Sequence, residues 1–203
     1  MIYAKKMILH STYKNNWEII TWTIPVIFSA PHAVPQFRDG EIKPRDEYTW
    51  EIVRKLCQET WAYGIIRIKN LDDDPNYYNE WLSLDFKNEI IEMVKDNDIR
   101  YGFDIHGCRD GLWFSIDIGT NYGKNIFGNT ELLLQIYQNL QNNTWDVVVD
   151  TIFEASKKEI VSTYVSEQTG FPYIELEICR ALREKTDYIV SLISKVVQTV
   201  LKF

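Results

Sequence analysis

Apolar and polar positions along the chain recur with a period near 2 in some stretches and near 3.6 in others, and the order of these changes predicts the architecture. The run Ile24-Pro25-Val26-Ile27-Phe28-Ser29-Ala30 is short and apolar and is closed by Pro31-His32, which reads as a buried strand entering a loop. From Asp46 the pattern turns helical, with Ile52, Val53, Leu56, Cys57 and Trp61 on one face. Gly64 is the expected stop, because glycine readily takes the left-handed conformation that ends many helices. Ile65 to Ile68 predicts a second strand, Asn70 to Tyr78 a loop rich in turn formers, and Phe86, Ile90, Ile91 and Val94 a second amphipathic helix. Two further strands are expected over Tyr101 to Ile105 and Leu112 to Ile118, followed by a helix around Leu132, Leu133, Ile136, Tyr137 and Leu140. Val147-Val148-Val149 is another strand, and Tyr173 to Ile178 alternates cleanly. The stripe Ile189, Leu192, Ile193, Val196, Val197, Val200 and Leu201 marks a closing helix with one face on a core.

Strands interleaved with helices predict an α/β fold, a single domain over residues 1–203 with a mixed, mostly parallel central sheet and helices on both faces. No repeat, low-complexity tract or linker interrupts it. A chain of 203 residues, 45% hydrophobic and 25% charged, has the material for one core and is not a disordered polymer. Its 22 basic residues against 29 acidic ones give a net charge of −7, which disfavours nucleic acid and anionic membranes as partners but leaves room for a cationic pocket. Cys57, Cys108 and Cys179 have no CxxC spacing, so neither a disulfide framework nor a zinc ribbon is legible. The N-terminal stretch MIYAKKMILHSTYKNNW contains no signal-type apolar core or cleavage site, and no stretch nears the ~18 apolar residues of a membrane span. The expectation is a reduced, cytoplasmic protein. Oligomeric state is not legible.

Ligands of open α/β sheets bind beyond the carboxyl ends of the strands. Three such ends carry polar residues: Ser29-Ala30-Pro31-His32, Asp104-Ile105-His106-Gly107, and Glu175-Leu176-Glu177-Ile178-Cys179-Arg180. Two of the three histidines of the chain are among them. A histidine at a strand end is often only a hydrogen-bonded structural residue. Two of them with a carboxylate instead suit a zinc ion that keeps one position open for a reactive water. Asp46 or Glu47, at the start of the helix after the His32 loop, would supply that carboxylate, although an aspartate there also serves as a helix cap. Glu175 and Glu177 share a strand face. They are either the wet side of a half-exposed strand, or a carboxylate aimed at the reacting water as general base and then acid.

Taken together these stretches resemble the N-formylglutamate amidohydrolase family, whose fold is similar to that of the zinc-dependent exopeptidases and aspartoacylases. The resemblance rests on SAPHAVPQFRDGEIKPRDEYT at 29–49, DPNY at 74–77, DIHG at 104–107, IDIGTNYG at 116–123 and YIELEICRALR at 173–183, which occur in the family's order. It implies that His32 and His106 are ligands of a metal, zinc by preference over another divalent ion, with Asp46 as the third, Glu47 being the alternative, and that Glu177 is the general base and acid. Asp104 would orient His106. Arg38, Arg109 and Arg180 become candidates for gripping a substrate carboxylate through paired hydrogen bonds, or else are solvated surface charges. The implied activity is zinc-dependent hydrolysis of an N-formyl or N-acyl amino acid or a small peptide-like amide. Two rivals stand beside it: a hydrolase using Cys108 as nucleophile two residues from His106, and a ligand-binding protein that keeps the fold without turnover.

Overall fold

The computed structural model describes residues 10–14, 16–70, 72–141 and 145–202. The first nine residues of the stretch searched for a signal sequence lie outside them, as does Leu71 of the 70–78 loop. The chain opens with the hairpin β1 (His10–Lys14) and β2 (Trp17–Thr21), then β3 (Ile24–Ala30) and a small hairpin of β4 (Gln36–Arg38) and β5 (Glu41–Lys43). Next come α1 (Thr49–Thr60), β6 (Ala62–Arg67), α2 (Trp81–Asp96), β7 (Tyr101–Cys108) and β8 (Ile116–Gly119). A 3-10 turn at Lys124–Ile126 leads to α3 (Thr130–Leu140), β9 (Val147–Val149), α4 (Val161–Thr169), β10 (Tyr173–Cys179), α5 (Arg180–Arg183) and α6 (Thr186–Val200).

Eight strands form one sheet in the order β1-β2-β6-β3-β7-β10-β8-β9. Its centre, β6-β3-β7-β10, is parallel, while β1, β2 and β8 run antiparallel to their inner neighbours. The mixed, mostly parallel α/β sheet expected from the sequence is therefore present. Helices α1, α3 and α6 cover one face, packing Ile52, Leu56, Ile136 and Ile193 on Phe28, Ile105, Leu176 and Ile118. Helices α2 and α4 cover the other, packing Phe86, Ile90 and Val165 on Ile27, Ile65 and Tyr173. Both faces of β10 are consequently buried along its whole length. The alternation at Tyr173 to Ile178 thus separates two interiors and not an interior from water.

Several boundaries differ from the sequence reading for identifiable reasons. The first helix begins at Thr49 and not at Asp46, because the Asp46 N–H is committed to the His32 carbonyl at 2.9 Å and Tyr48 turns into the left-handed region at φ 71. It ends at Trp61, also left-handed at φ 59, whose N–H returns to the Cys57 carbonyl. Gly64 lies instead inside β6, where a side chain would collide with the Cys57 sulfur. The strand expected over Leu112 to Ile118 is reduced to β8, since Leu112 and Phe114 reach the core from a loop. Helix α4 is hidden from apolar periodicity because Ser162, Thr163 and Ser166 occupy its buried side, with Thr163 and Ser166 bonding to main-chain carbonyls.

Candidate active site

The register of the sheet lays the polar strand-end residues in rows on the face covered by α2 and α4. Ser29 pairs with Asp104 and Asp104 with Glu175, while one residue pair further along His106 stands beside Glu177 and Glu177 beside Asp117. Because β3 stops at Ala30, the second row has no neighbour there, and the chain turns so that His32 comes over the gap. The His32 and His106 rings meet edge to face at 4.6 Å between centroids, with their Nδ1 atoms 3.1 Å apart. Asp46 Oδ2 lies 3.4 Å from the first Nδ1 and 3.5 Å from the second, and also accepts the Gly107 N–H at 3.0 Å.

The outward nitrogens are held by other carboxylates. His32 Nε2 is 2.8 Å from Asp74 Oδ1, and His106 Nε2 is 3.0 Å from Asp104 Oδ2. Such bonds suit a ring proton on Nε2, the tautomer in which Nδ1 turns its lone pair to a metal ion, and the Asn76 amide also lies 3.1 Å from His106 Nε2. Asp104 is in turn bonded by the Ser29 hydroxyl, which accepts from the Tyr173 hydroxyl at 2.5 Å. A tetrahedral zinc ion with bonds of ~2.0–2.1 Å requires its ligand atoms to lie about 3.3 Å apart. The triangle of His32 Nδ1, His106 Nδ1 and Asp46 Oδ2 has nearly those sides, so its donor set and shape fit a small divalent ion.

Without such an ion the cluster is held by protons. Burial works against the His32 imidazolium, but the Asp74 and Asp46 carboxylates outweigh it and raise its pKa to about 9. Burial likewise opposes the Asp46 carboxylate, and hydrogen bonds from His106 and His32 overcome it, holding Asp46 well below the usual range.

His32 and Asp46 of the cluster line a cavity of about 430 Å³, with His106 buried behind them. Glu175 and Glu177 line its inner end, each with one carboxylate oxygen that no hydrogen-bond donor meets. Burial raises them to about 7 and about 8. The β4–β5 hairpin and the DPNY loop form one wall, joined by the Tyr77 hydroxyl to Asp39 at 3.0 Å and by Arg38 to Asp74 at 3.6 Å. Residues 152–157 form the other wall. They are held by Asp117, a fully buried carboxylate that accepts the main-chain N–H groups of Thr151, Ile152 and Phe153. Tyr77 carries a cation on its ring from each wall, Arg38 at 5.6 Å and Lys157 at 5.9 Å.

The sequence-derived candidates therefore divide. His32, Asp46, His106 and Glu177 are brought together, with Arg38 at the cavity wall. Glu47 points away and pairs with Arg180 at 2.9 Å, and Arg180 also pairs with Glu184 at 3.0 Å on the surface. Arg180 and the exposed Arg109 do not line the cavity. Cys108 is buried in the apolar core and its thiol is pushed up to about 12, chiefly by burial, which removes the thiolate a nucleophile needs. Asp74, Asn76, Lys157 and Arg183 were not singled out. DPNY contained the first two, but nothing in spacing alone distinguishes a histidine-orienting aspartate from a turn former.

No protein-family model and no curated protein matches the sequence. Solved structures do match in fold. An N-formylglutamate amidohydrolase from Ralstonia eutropha superposes with a TM-score of 0.67 over 92% of this chain and 97% of its own, at 9% identity. A gene product of Agrobacterium tumefaciens gives 0.68 over 93% and 96%, at 12% identity. A bacteriophage poly-gamma-glutamate hydrolase gives 0.59 over 93% and 89%, at 15% identity. The chain has the N-formylglutamate amidohydrolase-like fold.

Proposed function

We propose that this chain is a zinc-dependent amidohydrolase acting on an N-formyl or N-acyl amino acid or a small peptide-like amide. The observation that carries the reading is the convergence of His32 Nδ1, His106 Nδ1 and Asp46 Oδ2 within 3.1 to 3.5 Å of one another, at a cavity that Glu177 also lines. The fold shared with an N-formylglutamate amidohydrolase and a poly-gamma-glutamate hydrolase supports it.

His32, His106 and Asp46 would hold the ion. When bound, zinc supplies Lewis acidity that polarises an amide carbonyl and lowers the pKa of water from about 15.7 to about 7. Asp74 and Asp104 keep both imidazoles in the tautomer whose Nδ1 is free to ligate. Glu177 receives the proton of the attacking water on its unpartnered oxygen and delivers it to the departing nitrogen. Burial raises its pKa to about 8 when the site holds no ion, and beside a dication at the histidines that value falls back toward the range in which a carboxylate accepts and returns a proton near neutral pH. The cations Arg38 and Lys157 face the cavity from opposite walls and suit a substrate carboxylate.

The test is a panel of N-acyl amino acids and short peptides assayed for amine release, alongside metal analysis of the purified protein. The expected result is about one zinc ion per chain and turnover that a chelator abolishes and zinc restores. Protein that neither contains nor binds zinc would overturn the reading. Turnover stopped by thiol alkylation but indifferent to chelation would hand the chemistry to Cys108.

A further inference from the structure

Arg183 is buried, at 4% exposure, and among the described residues no carboxylate forms an ion pair with it. Each of its three nitrogens donates to a main-chain carbonyl. Nε donates to Ile178 at 2.9 Å, one terminal nitrogen donates to Cys108 at 3.1 Å, and the other donates to Glu47. Each acceptor belongs to a different segment, and each lies one or two residues beyond a residue of the site: Ile178 follows Glu177, Cys108 follows His106 and Gly107, and Glu47 follows Asp46. These segments are the end of β10, the end of β7 and the turn before α1; the first two are paired in the sheet, whereas the turn belongs to no strand of it. Taking a cation out of water is costly unless every donor finds an acceptor, and a rigid planar fork offers donors in fixed directions.

Gly107 completes the arrangement. Its N–H donates to Asp46 Oδ2 at 3.0 Å, while its Cα lies against the guanidinium so closely that any Cβ would overlap it. The glycine that closes DIHG is thus required by Arg183, with no unusual backbone angle involved.

We propose that Arg183 is a positioning residue that fixes the turn carrying Asp46 against the ends of β7 and β10, and so sets the distance of Asp46 from His106 and Glu177, which the sheet already holds side by side. That this separation serves zinc rests on the proposed function; the positioning itself does not.

The experiment follows the Gly107 amide by hydrogen exchange in metal-free protein and zinc affinity by chelator competition, in Arg183→Lys, Arg183→Met and Gly107→Ala. Val196→Ala, in α6, serves as a control that loses core packing elsewhere. Lysine keeps the charge but not the fork, and the Gly107→Ala methyl displaces the guanidinium without removing it, so a failure of Arg183→Met to fold leaves two variants to read. The expected result is exchange of the residue-107 amide, expressed relative to its intrinsic rate, at least about tenfold faster in Arg183→Lys and Gly107→Ala than in Val196→Ala compared at equal global stability, with zinc affinity about tenfold weaker or more. Gly107 exchange in Arg183→Lys that merely follows global stability, as in the control, overturns the proposal whatever zinc does. Wild-type protein that binds no zinc, with the Gly107 amide still loosened in the variants, sinks the metal reading and upholds the positioning role.

Discussion

The two faces of the central sheet are built from alternate residues of the same strands, yet they follow different rules. On β10 the side under α1, α3 and α6 is Ile174, Leu176 and Ile178, while the side under α2 and α4 is Tyr173, Glu175 and Glu177, and all six are buried. The first side is held by contact among hydrocarbon surfaces. The second holds imidazoles, carboxylates and hydroxyls whose hydrogen bonds run from Tyr173 through Ser29 and Asp104 to His106. Polar residues in an alternating strand are commonly ascribed to solvent. Here they are enclosed, and two carboxylate oxygens are left without donors. Buried polar atoms without partners are costly, and these two belong to residues that line the cavity.

Adjacent residues should therefore fail in opposite ways. Glu177→Gln keeps shape but cannot accept and return a proton, so turnover should drop by about 10² to 10⁴. Zinc content and melting temperature should hold, or the latter rise, because a costly buried carboxylate has been removed. Full activity in this variant would exclude Glu177 from proton transfer. Leu176→Ala, one residue away on the other face, should lower stability by about 2–5 kcal/mol through the cavity it leaves. Its zinc affinity, measured on folded protein, should match wild type. A loss of stability from Glu177→Gln as large as that from Leu176→Ala would erase the distinction between the faces.

A third test uses Lys87, a fully buried lysine of α2 on the polar side. Its ammonium group donates to the Tyr78 carbonyl at 2.8 Å and to the Glu159 carbonyl, tying together the loops of both cavity walls. Burial lowers its pKa to about 8, against about 10.4 for an unfolded chain. Between those values the unfolded chain holds the proton and the folded chain has released it, so stability rises with pH through the window, by an amount on the order of 3 kcal/mol. Denaturant titrations from pH 7.5 to 10.5 should show wild type gaining on Lys87→Met by roughly that amount. Parallel curves for the two proteins would mean that the folded protein holds the Lys87 proton as tightly as the unfolded chain does, and that burial has not lowered its pKa.

What was legible from sequence follows the same division. The apolar face announced itself: the stripe from Ile189 to Val200 and the runs at Ile24 and Tyr173 are periodic because hydrocarbon burial depends only on which way each residue points. His32, His106, Asp46 and Glu177 were legible too, through strand-end position and the ordered motifs that carry the family resemblance. The partners that make them a site were not. Asp74 reaches His32 across a loop, and Arg183 touches three segments brought together only by the fold. Helix α4 escaped because it buries hydroxyls, which carry no apolar period.

The smallest expected effects concern the arginines, which the sequence could not separate. Arg38 stands at the cavity wall with its guanidinium over Tyr77 and 3.6 Å from Asp74, so a substrate carboxylate can reach it without disturbing a strong pair. Arg38→Ala should raise KM by about tenfold for a carboxylate-bearing substrate, the value of one charge-assisted hydrogen bond, with kcat little altered. Arg180 is already committed to Glu47 and Glu184 outside the cavity, and Arg109 is exposed. Replacing either by alanine should change kcat/KM by less than about twofold. Loss of Arg180 frees Glu47 but leaves the Glu47 carbonyl on Arg183, so the turn that carries Asp46 keeps its anchor. A tenfold KM effect at Arg180 with none at Arg38 would move the carboxylate-binding side to the opposite lip of the site and redraw the cavity's working face.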